Sequence, residues 1–430
     1  MTAFARIVPQ RRGACPGLSA PMPTGDGLLV RLLPVGTIGL DAFRELCAAA
    51  RRHGNGIVEV TSRGSIQIRG LSAASAPRFA SAVAALGIAA ADGIPVLSDP
   101  LAGLDPDEPI DAAALATEVR RALARSGLAQ RLSAKVSVTI DGGGALNLSH
   151  LAADVRLRAE ACDSDAILAM SIGEGGESAG ELGFIAPHDA GAAAVRLLET
   201  LARHGRDARA RDVVAKHGTA AFRAAIADLL VNGKAKRSAP PSRDPIGVHA
   251  VRDGTFACGI GLAFGHAAAI SLQDLAAAAA SADASGLRAA PGRALLILGL
   301  AARTLSSFAA TAEALGFIVR ADDPRRNVTA CAGAPICASA NIAARAMAPQ
   351  IAAAVAPHCD GALKVHLSGC AKGCAHPAPA ALTVVGTPRG CALVAGGTAR
   401  DAAFKIVAAD VLPAAVAAFV HDLKNEARHV

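Results

Sequence analysis

Apolar and polar positions change period along the chain, and the same order of changes occurs twice. Leu28–Leu33 is apolar enough to predict a strand, and Leu40, Phe43, Leu46, Cys47 and Ala50 then recur at helical spacing until Gly54-Asn55-Gly56 ends the helix. Residues 57–69 alternate. Val58, Val60, Ile66 and Ile68 share one face of a predicted strand, and Glu59, Thr61, Arg63, Ser65, Gln67 and Arg69 share the other. Gly70-Leu71 closes the unit. The order returns as a strand over Phe256–Leu262, an Ala-rich helix with Ser271 as N-cap, a strand over Arg293–Leu298, and Gly299-Leu300. The two Gly-Leu pairs lie 229 residues apart, which predicts an internal duplication.

Each copy leads into a longer region. The first carries predicted helices over Asp111–Arg125, Ala192–His204 and Ala220–Leu230, a strand over Ala134–Ile140, and glycine loops at 142–144 and 173–176. A Lys/Arg/Pro-rich stretch, residues 232–245, reads as an exposed linker. The second long region carries a cysteine cluster. The expected units are therefore residues 1–80 and 246–304 as the two copies, 81–235 as one α/β domain and 305–430 as another. At the 229-residue displacement Thr61, Arg63, Gln67 and Arg69 fall on Ala290, Gly292, Leu296 and Leu298, polar in one copy and apolar in the other. Such divergence favours one functional site over a merely solvated sheet face. Arginine forks suit carboxylates, so Arg63 and Arg69 with Gln67 are candidates to line an anionic ligand pocket.

Composition narrows the classes. A chain of 430 residues, 52% of them apolar, has material for several cores. The Ala-rich runs are broken by polar residues, so no membrane span is expected. Trp and Tyr are absent, which removes the usual base-stacking equipment. The net charge of +7 is scattered rather than clustered and fits a basic surface or a polyanionic small ligand, not nucleic acid. The first dozen residues lack an apolar h-region, which implies a cytoplasmic, reducing setting. Ten cysteines there are thiols or metal ligands rather than disulfides.

Four of them are paired as Cys331-x5-Cys337 and, 32 residues on, Cys370-x3-Cys374. Four thiolates suit tetrahedral zinc or an iron–sulfur cluster, and unrelated buried thiols are the bland alternative. Neither pair has the Cys-x2-Cys spacing of structural zinc, and Gly333, Gly369 and Gly373 leave room for an inorganic core, which favours the cluster. Cys47, Cys258 and Cys391 read as core residues, and Cys162 and Cys359 show no partner pattern. Gly259-x-Gly261 with Gly265 is a poor dinucleotide fingerprint.

The Thr61-Ser-Arg-Gly-Ser-Ile-Gln-Ile-Arg-Gly strand, the duplicated half, Thr329-Ala-Cys-Ala-Gly-Ala-Pro-Ile-Cys and Ser368-Gly-Cys-Ala-Lys-Gly-Cys-Ala-His-Pro together resemble the nitrite and sulfite reductase family. Within it the segment from Arg12 to Leu32, Asp99-Pro-Leu-Ala-Gly-Leu-Asp and Asp141-Gly-Gly-Gly are similar to the cobalamin-pathway branch. The resemblance implies an α/β (α+β) fold in which ferredoxin-like half-domains are duplicated about a pseudo-twofold axis. Two tetrapyrrole-binding domains accompany them, the second with the iron–sulfur region. It implies a [4Fe–4S] cluster on Cys331, Cys337, Cys370 and Cys374. By position, Cys374 matches the cysteine that bridges cluster and sirohaem in the reductases. Arg63 and Lys135 match the family's tetrapyrrole-binding arginine and lysine.

The chain departs from the reductases at two places. Ser137 stands where they carry a second lysine, and Gly93-Ile94-Pro95 stands where they carry an arginine before Val96-Leu97-Ser98. Without those cations, sulfite or nitrite reduction on sirohaem is the weaker reading, and a non-catalytic iron–sulfur electron carrier is a rival of another class. The branch implies instead that the tetrapyrrole is substrate. The expected reaction is hydroxylation of precorrin-3A by dioxygen, without tightly bound sirohaem and with Arg63, Gln67, Arg69 and Lys135 meeting the substrate's carboxylates. It further implies a mononuclear non-haem iron and an external NADH-dependent electron donor, direct or through a reductase. No iron ligand set stands out. His366 and His376 flank the second cysteine pair and read first as core or supporting histidines, and Cys15 is a further candidate.

Overall fold

The computed structural model describes residues 16–160, 166–173, 180–233, 242–358 and 363–428. Cys15, Cys162, Cys359 and loop residues 174–176 lie outside these ranges.

The first copy comprises β1 (Met22–Thr24), β2 (Gly27–Leu32), α1 (Leu40–His53), β3 (Ile57–Val60), β4 (Ile66–Leu71) and α2 (Ser75–Ala85). The apolar stripe of α1, with Leu40, Phe43, Leu46, Cys47 and Ala50 buried, lies on the face of the sheet formed by Val58, Val60, Ile66 and Ile68. The alternating run 57–69 is thus two strands rather than one. β3 and β4 form a hairpin in which Glu59 faces Gln67, and Arg63 sits in its bend. The alternation survives because the bend lets Ile66 and Ile68 return to the core face of Val58 and Val60.

The next region holds β5 (Val96–Ser98), α3 (Ala112–Ser126), β6 (Val138–Asp141), β7 (Val155–Glu160), β8 (Ile167–Ile172), β9 (Gly180–Ile185), α4 (Ala190–Ala202), α5 (Ala210–His217), α6 (Ala220–Ala225) and β10 (Leu230–Val231). Asp111 caps α3, its carboxylate accepting from the backbone N–H groups of Ala113 and Ala114. The expected strand over 134–140 begins later, at Val138, so Lys135 stands exposed in the preceding turn. The expected helix 220–230 is a short helix that tightens into a 3₁₀ turn before β10.

The second copy comprises β11 (Gly247–Ala250), β12 (Phe256–Gly261), β13 (His266–Ala268), α7 (Ala269–Ser281), β14 (Gly286–Ala290), β15 (Ala294–Leu300) and α8 (Ala302–Ala314). Ser271 lies inside α7, whose N-cap is Ala268. The chain ends with β16 (Val328–Ala330), α9 (Ala344–Val355), β17 (Val365–Ser368), β18 (Ala380–Thr387), β19 (Gly390–Gly397), β20 (Lys405–Val407) and α10 (Leu412–Arg428). Among the described residues no helix is long and apolar enough to cross a membrane.

The duplication is visible in the hydrogen bonds. Ile38 and Leu287 exchange backbone bonds of 2.8 and 2.9 Å, and Ala267 pairs with Val58. These two pairs are each other's images under the 229-residue displacement. So β13 of the second copy completes the first copy's sheet, in the order β1-β2-β4-β3-β13. Gln Nε2 of residue 273 donates to the carbonyl of Arg44, a separation of 229. Both copies share one core, with Phe43, Leu46, Leu272, Leu275 and Phe308 in a single cluster. Helices α2 and α8 pack on that core too.

The two α/β regions are also alike. β5, β6 and β7 run parallel and β8 and β9 continue antiparallel. β16, β17 and β18 run parallel and β19 and β20 continue antiparallel.

Gly70 and Gly299, equivalent in the two copies, both adopt left-handed backbone, φ 72° and 78°. A Cβ on Gly70 would stand 2.5 Å from Asn55 Cβ and 2.8 Å from its backbone nitrogen. Gly36 has φ 74° with open space around it. Gly70→Ala should therefore lower the thermal midpoint clearly more than Gly36→Ala, whose cost is the left-handed strain alone, about 1–3 kcal/mol. Equal shifts in thermal melts would show that the Asn55 contact does not constrain the turn.

Candidate active site

Cys331 follows β16 directly, and Cys370 follows β17 after a single glycine. The parallel pairing of those strands therefore brings the two cysteine loops to one sheet end. Gly369 N–H donates to Cys331 Sγ at 3.1 Å, and the Gly333 backbone also supports that sulfur. Glycine is required around the thiols. A Cβ on Gly369 would lie 2.6 Å from Ala340 Cβ, and one on Gly25 would lie 2.4 Å from Cys337 Sγ. Burial pushes the thiols of Cys331 and Cys374 up, and the neighbouring thiols push the same way. The Arg69 and Lys372 charges oppose this at Cys374.

Four soft donors with backbone N–H support fit a thiolate-held group. Among the described residues no three His, Cys, Asp or Glu side chains gather closely enough to hold a single metal ion.

The polar face of the β3–β4 hairpin abuts this cradle. Arg69 binds Asp26 with two bonds, Nε to Oδ2 at 2.8 Å and Nη2 to Oδ1 at 2.7 Å, and lies 3.6 Å from Glu59. Burial disfavours the Arg69 charge, but the bonds from Asp26 and the charges of Glu59 and Asp26 outweigh it and raise its pKa. Glu59 also accepts from Arg345 of α9 at 3.0 Å and from Gln67 Nε2 at 3.1 Å. Gln67 Oε1 in turn accepts from Arg31 at 2.8 Å. Arg31, Asp26, Glu59 and Arg345 were not singled out by sequence. The alternation flagged Glu59 as polar, but nothing local marks a carboxylate two turns away as the partner of Arg69.

Arg63 is held apart from this network. Its guanidinium donates to the Ala152 carbonyl at 2.8 Å and to Ser137 Oγ at 3.0 Å. Burial and the nearby Arg209 lower its pKa. Ser137 thus serves Arg63 as acceptor at the position where the reductases carry a cation. Lys135 is two residues away, exposed. His366 and His376 stack edge to face with centroids 5.7 Å apart, and both ring nitrogens of buried His366 lack a hydrogen-bond partner.

A family profile described as the nitrite/sulfite reductase ferredoxin-like half domain matches residues 20–86. A precorrin-3B synthase from Sinorhizobium sp. is 40% identical over 395 residues, covering 92% of this chain and 85% of its own. The chain belongs to the precorrin-3B synthase branch of the nitrite and sulfite reductase family. The structure of the NirA protein of Mycobacterium tuberculosis superposes with a TM-score of 0.72 at 20% identity, covering 91% of this chain and 79% of that one. That likeness shows the fold, and the reductase-like architecture with duplicated halves agrees with the expectation from sequence.

The Arg69–Asp26 pair generates a pH-dependent outcome. Burial works to raise the Asp26 pKa, but the Arg69 bonds and charge prevail and hold it below the usual carboxylate value. Its stabilisation is therefore complete above the unfolded value of about 3.9 and is lost as pH falls through the lower folded value. Asp26→Asn should cost on the order of 3 kcal/mol at pH 7. The gap to wild type should narrow below about pH 4. Melts across that range check this, and a gap that stays constant with pH would rule out the ionic contribution.

Proposed function

We propose that this chain is an oxidoreductase of cobalamin biosynthesis that hydroxylates precorrin-3A at C20 with dioxygen, the ring A acetate closing as a γ-lactone. The observation that carries this reading is the 40% identity, over nearly the whole chain, to a precorrin-3B synthase. The cationic hairpin beside the cysteine cradle supports it. The substrate carries several carboxylates, which Arg63 and Lys135 would receive at the edge of the first α/β region. Arg69 already has two carboxylate partners, so its part is to hold the hairpin face and bias Cys374. Gln67, braced by Arg31 and Glu59, orients what binds over that face.

A [4Fe–4S] cluster on Cys331, Cys337, Cys370 and Cys374 supplies single electrons when bound. An external NADH-dependent donor, direct or through a reductase, would replenish them in a cytoplasmic setting. The described residues offer no ligand set for a mononuclear iron, and no step is routed through one. Against a sirohaem reductase, Ser137 is uncharged where those enzymes carry a lysine, and its hydroxyl accepts from Arg63.

Incubating the cluster-replete protein with precorrin-3A, reductant and oxygen should give a product heavier by one oxygen atom in mass spectrometry. An unchanged mass, or a stable sirohaem spectrum in the purified protein, would sink the reading. Separately, Cys370→Ala should abolish the broad iron–sulfur absorption and the bound iron. Unchanged colour and iron content would refute the ligand assignment.

A further inference from the structure

The two α/β regions can be aligned by strand register. β6 begins at Val138, which pairs with Val96 at the start of β5, and β17 begins at Val365, which pairs with Val328 at the start of β16. Ser137 and Lys364 therefore occupy the same place in the two sheets, and so do Ile94 and Arg326. The cations missing from the first region are present in the second.

There they border a cavity of about 270 Å³ between β16, β17 and the β14–β15 turn. Arg293, Arg325, Arg326 and Lys364 line it with His366 and His376, and no carboxylate is among its described lining residues. Arg325 and Arg326 are braced from behind by Asp323 and Asp244, both at 2.6 Å. Lys364 reaches the carbonyl of Arg326.

Two further observations point to a ligand. His366 is 1% exposed, lines the cavity and has no partner on either ring nitrogen, a cost that a bound acceptor or donor would relieve. Arg293 holds a left-handed backbone, φ 65°, at the position where the first copy has Gly64, φ 78°. A non-glycine residue is uncommon in that conformation, and here it directs a guanidinium to the cavity. Its guanidinium spans to the Ala375 carbonyl, next to Cys374.

We propose that this cavity is a second binding site, for a free small oxyanion or carboxylate ion, held by Arg293, Lys364 and His366. It is lined mainly from the second α/β region and the β14–β15 turn, and the inference does not depend on the activity proposed above. The ion would sit against the β17 end of the loop that carries Cys374.

Selenate is a suitable probe. Calorimetric titration of the holo-protein in Tris chloride at low ionic strength should show saturable binding near one ion per chain. Crystals soaked in selenate should give a selenium anomalous peak between Arg293, Lys364 and His366. Lys364→Met and His366→Leu should each weaken binding about tenfold or more, as for loss of a charged or buried hydrogen bond. Absence of the peak from the wild-type cavity, peaks at surface sites alone, or full affinity in folded variants would overturn the proposal. Should the variants fail to fold, the wild-type soak decides.

Discussion

Arg69 grips Asp26 with two short bonds, and the cysteine cradle is fastened to the first copy through that grip. Asp26 lies in the β1–β2 turn, whose Gly25 carbonyl accepts from Ala338 N–H at 2.9 Å and whose Cα leaves no room for a side chain beside Cys337. Glu59 carries the connection from Arg69 to Arg345 on α9, behind Cys331. Residues far apart in sequence thus meet in one charge network. Planar, bidentate arginine geometry fixes both distance and orientation, which a lysine in the same place would not do.

The duplication explains why such different chemistry can stand on equivalent backbone. Gly369 N–H donates to Cys331 Sγ after β16, and Gly142 N–H donates to Asp99 Oδ2, at 2.5 Å, after β5. The register makes these the same bond in two regions. One copy ends its strands in soft thiolates. The other ends them in buried carboxyls, Asp99 and Asp141, where burial and mutual charge raise the Asp99 pKa well above the carboxylate range. Thiolates suit an iron–sulfur group and carboxyls do not, so donor softness rather than backbone shape sets which copy could hold one.

Much of this was legible in sequence because it rests on local period. The apolar stripe of α1, the alternation of residues 57–69 and the paired Gly-Leu turns are written in consecutive residues. The hairpin bend at Arg63 was not, since a bend that returns Ile66 to the face of Val60 preserves the alternation of a single strand. Lys135 and Ser137 were flagged, but Ser137 as acceptor to Arg63 depends on a contact 74 positions away. The Asp26 and Glu59 partners of Arg69 were invisible for the same reason. Sequence shows which charges exist, whereas neutralisation is a property of packing.

That distinction alters how the basic character of the chain is understood. The hairpin arginines that looked most available for an anion are already engaged: Arg69 is ion-paired with two carboxylates, and Arg63 donates to a carbonyl and a hydroxyl. In the cavity beside β17, Arg325 and Arg326 are likewise paired, with Asp323 and Asp244, which are not among its described lining residues, whereas Arg293 and Lys364 reach backbone carbonyls. Of the cations of that cavity, Arg325, Arg326 and Lys364 stand in the same region as the thiols.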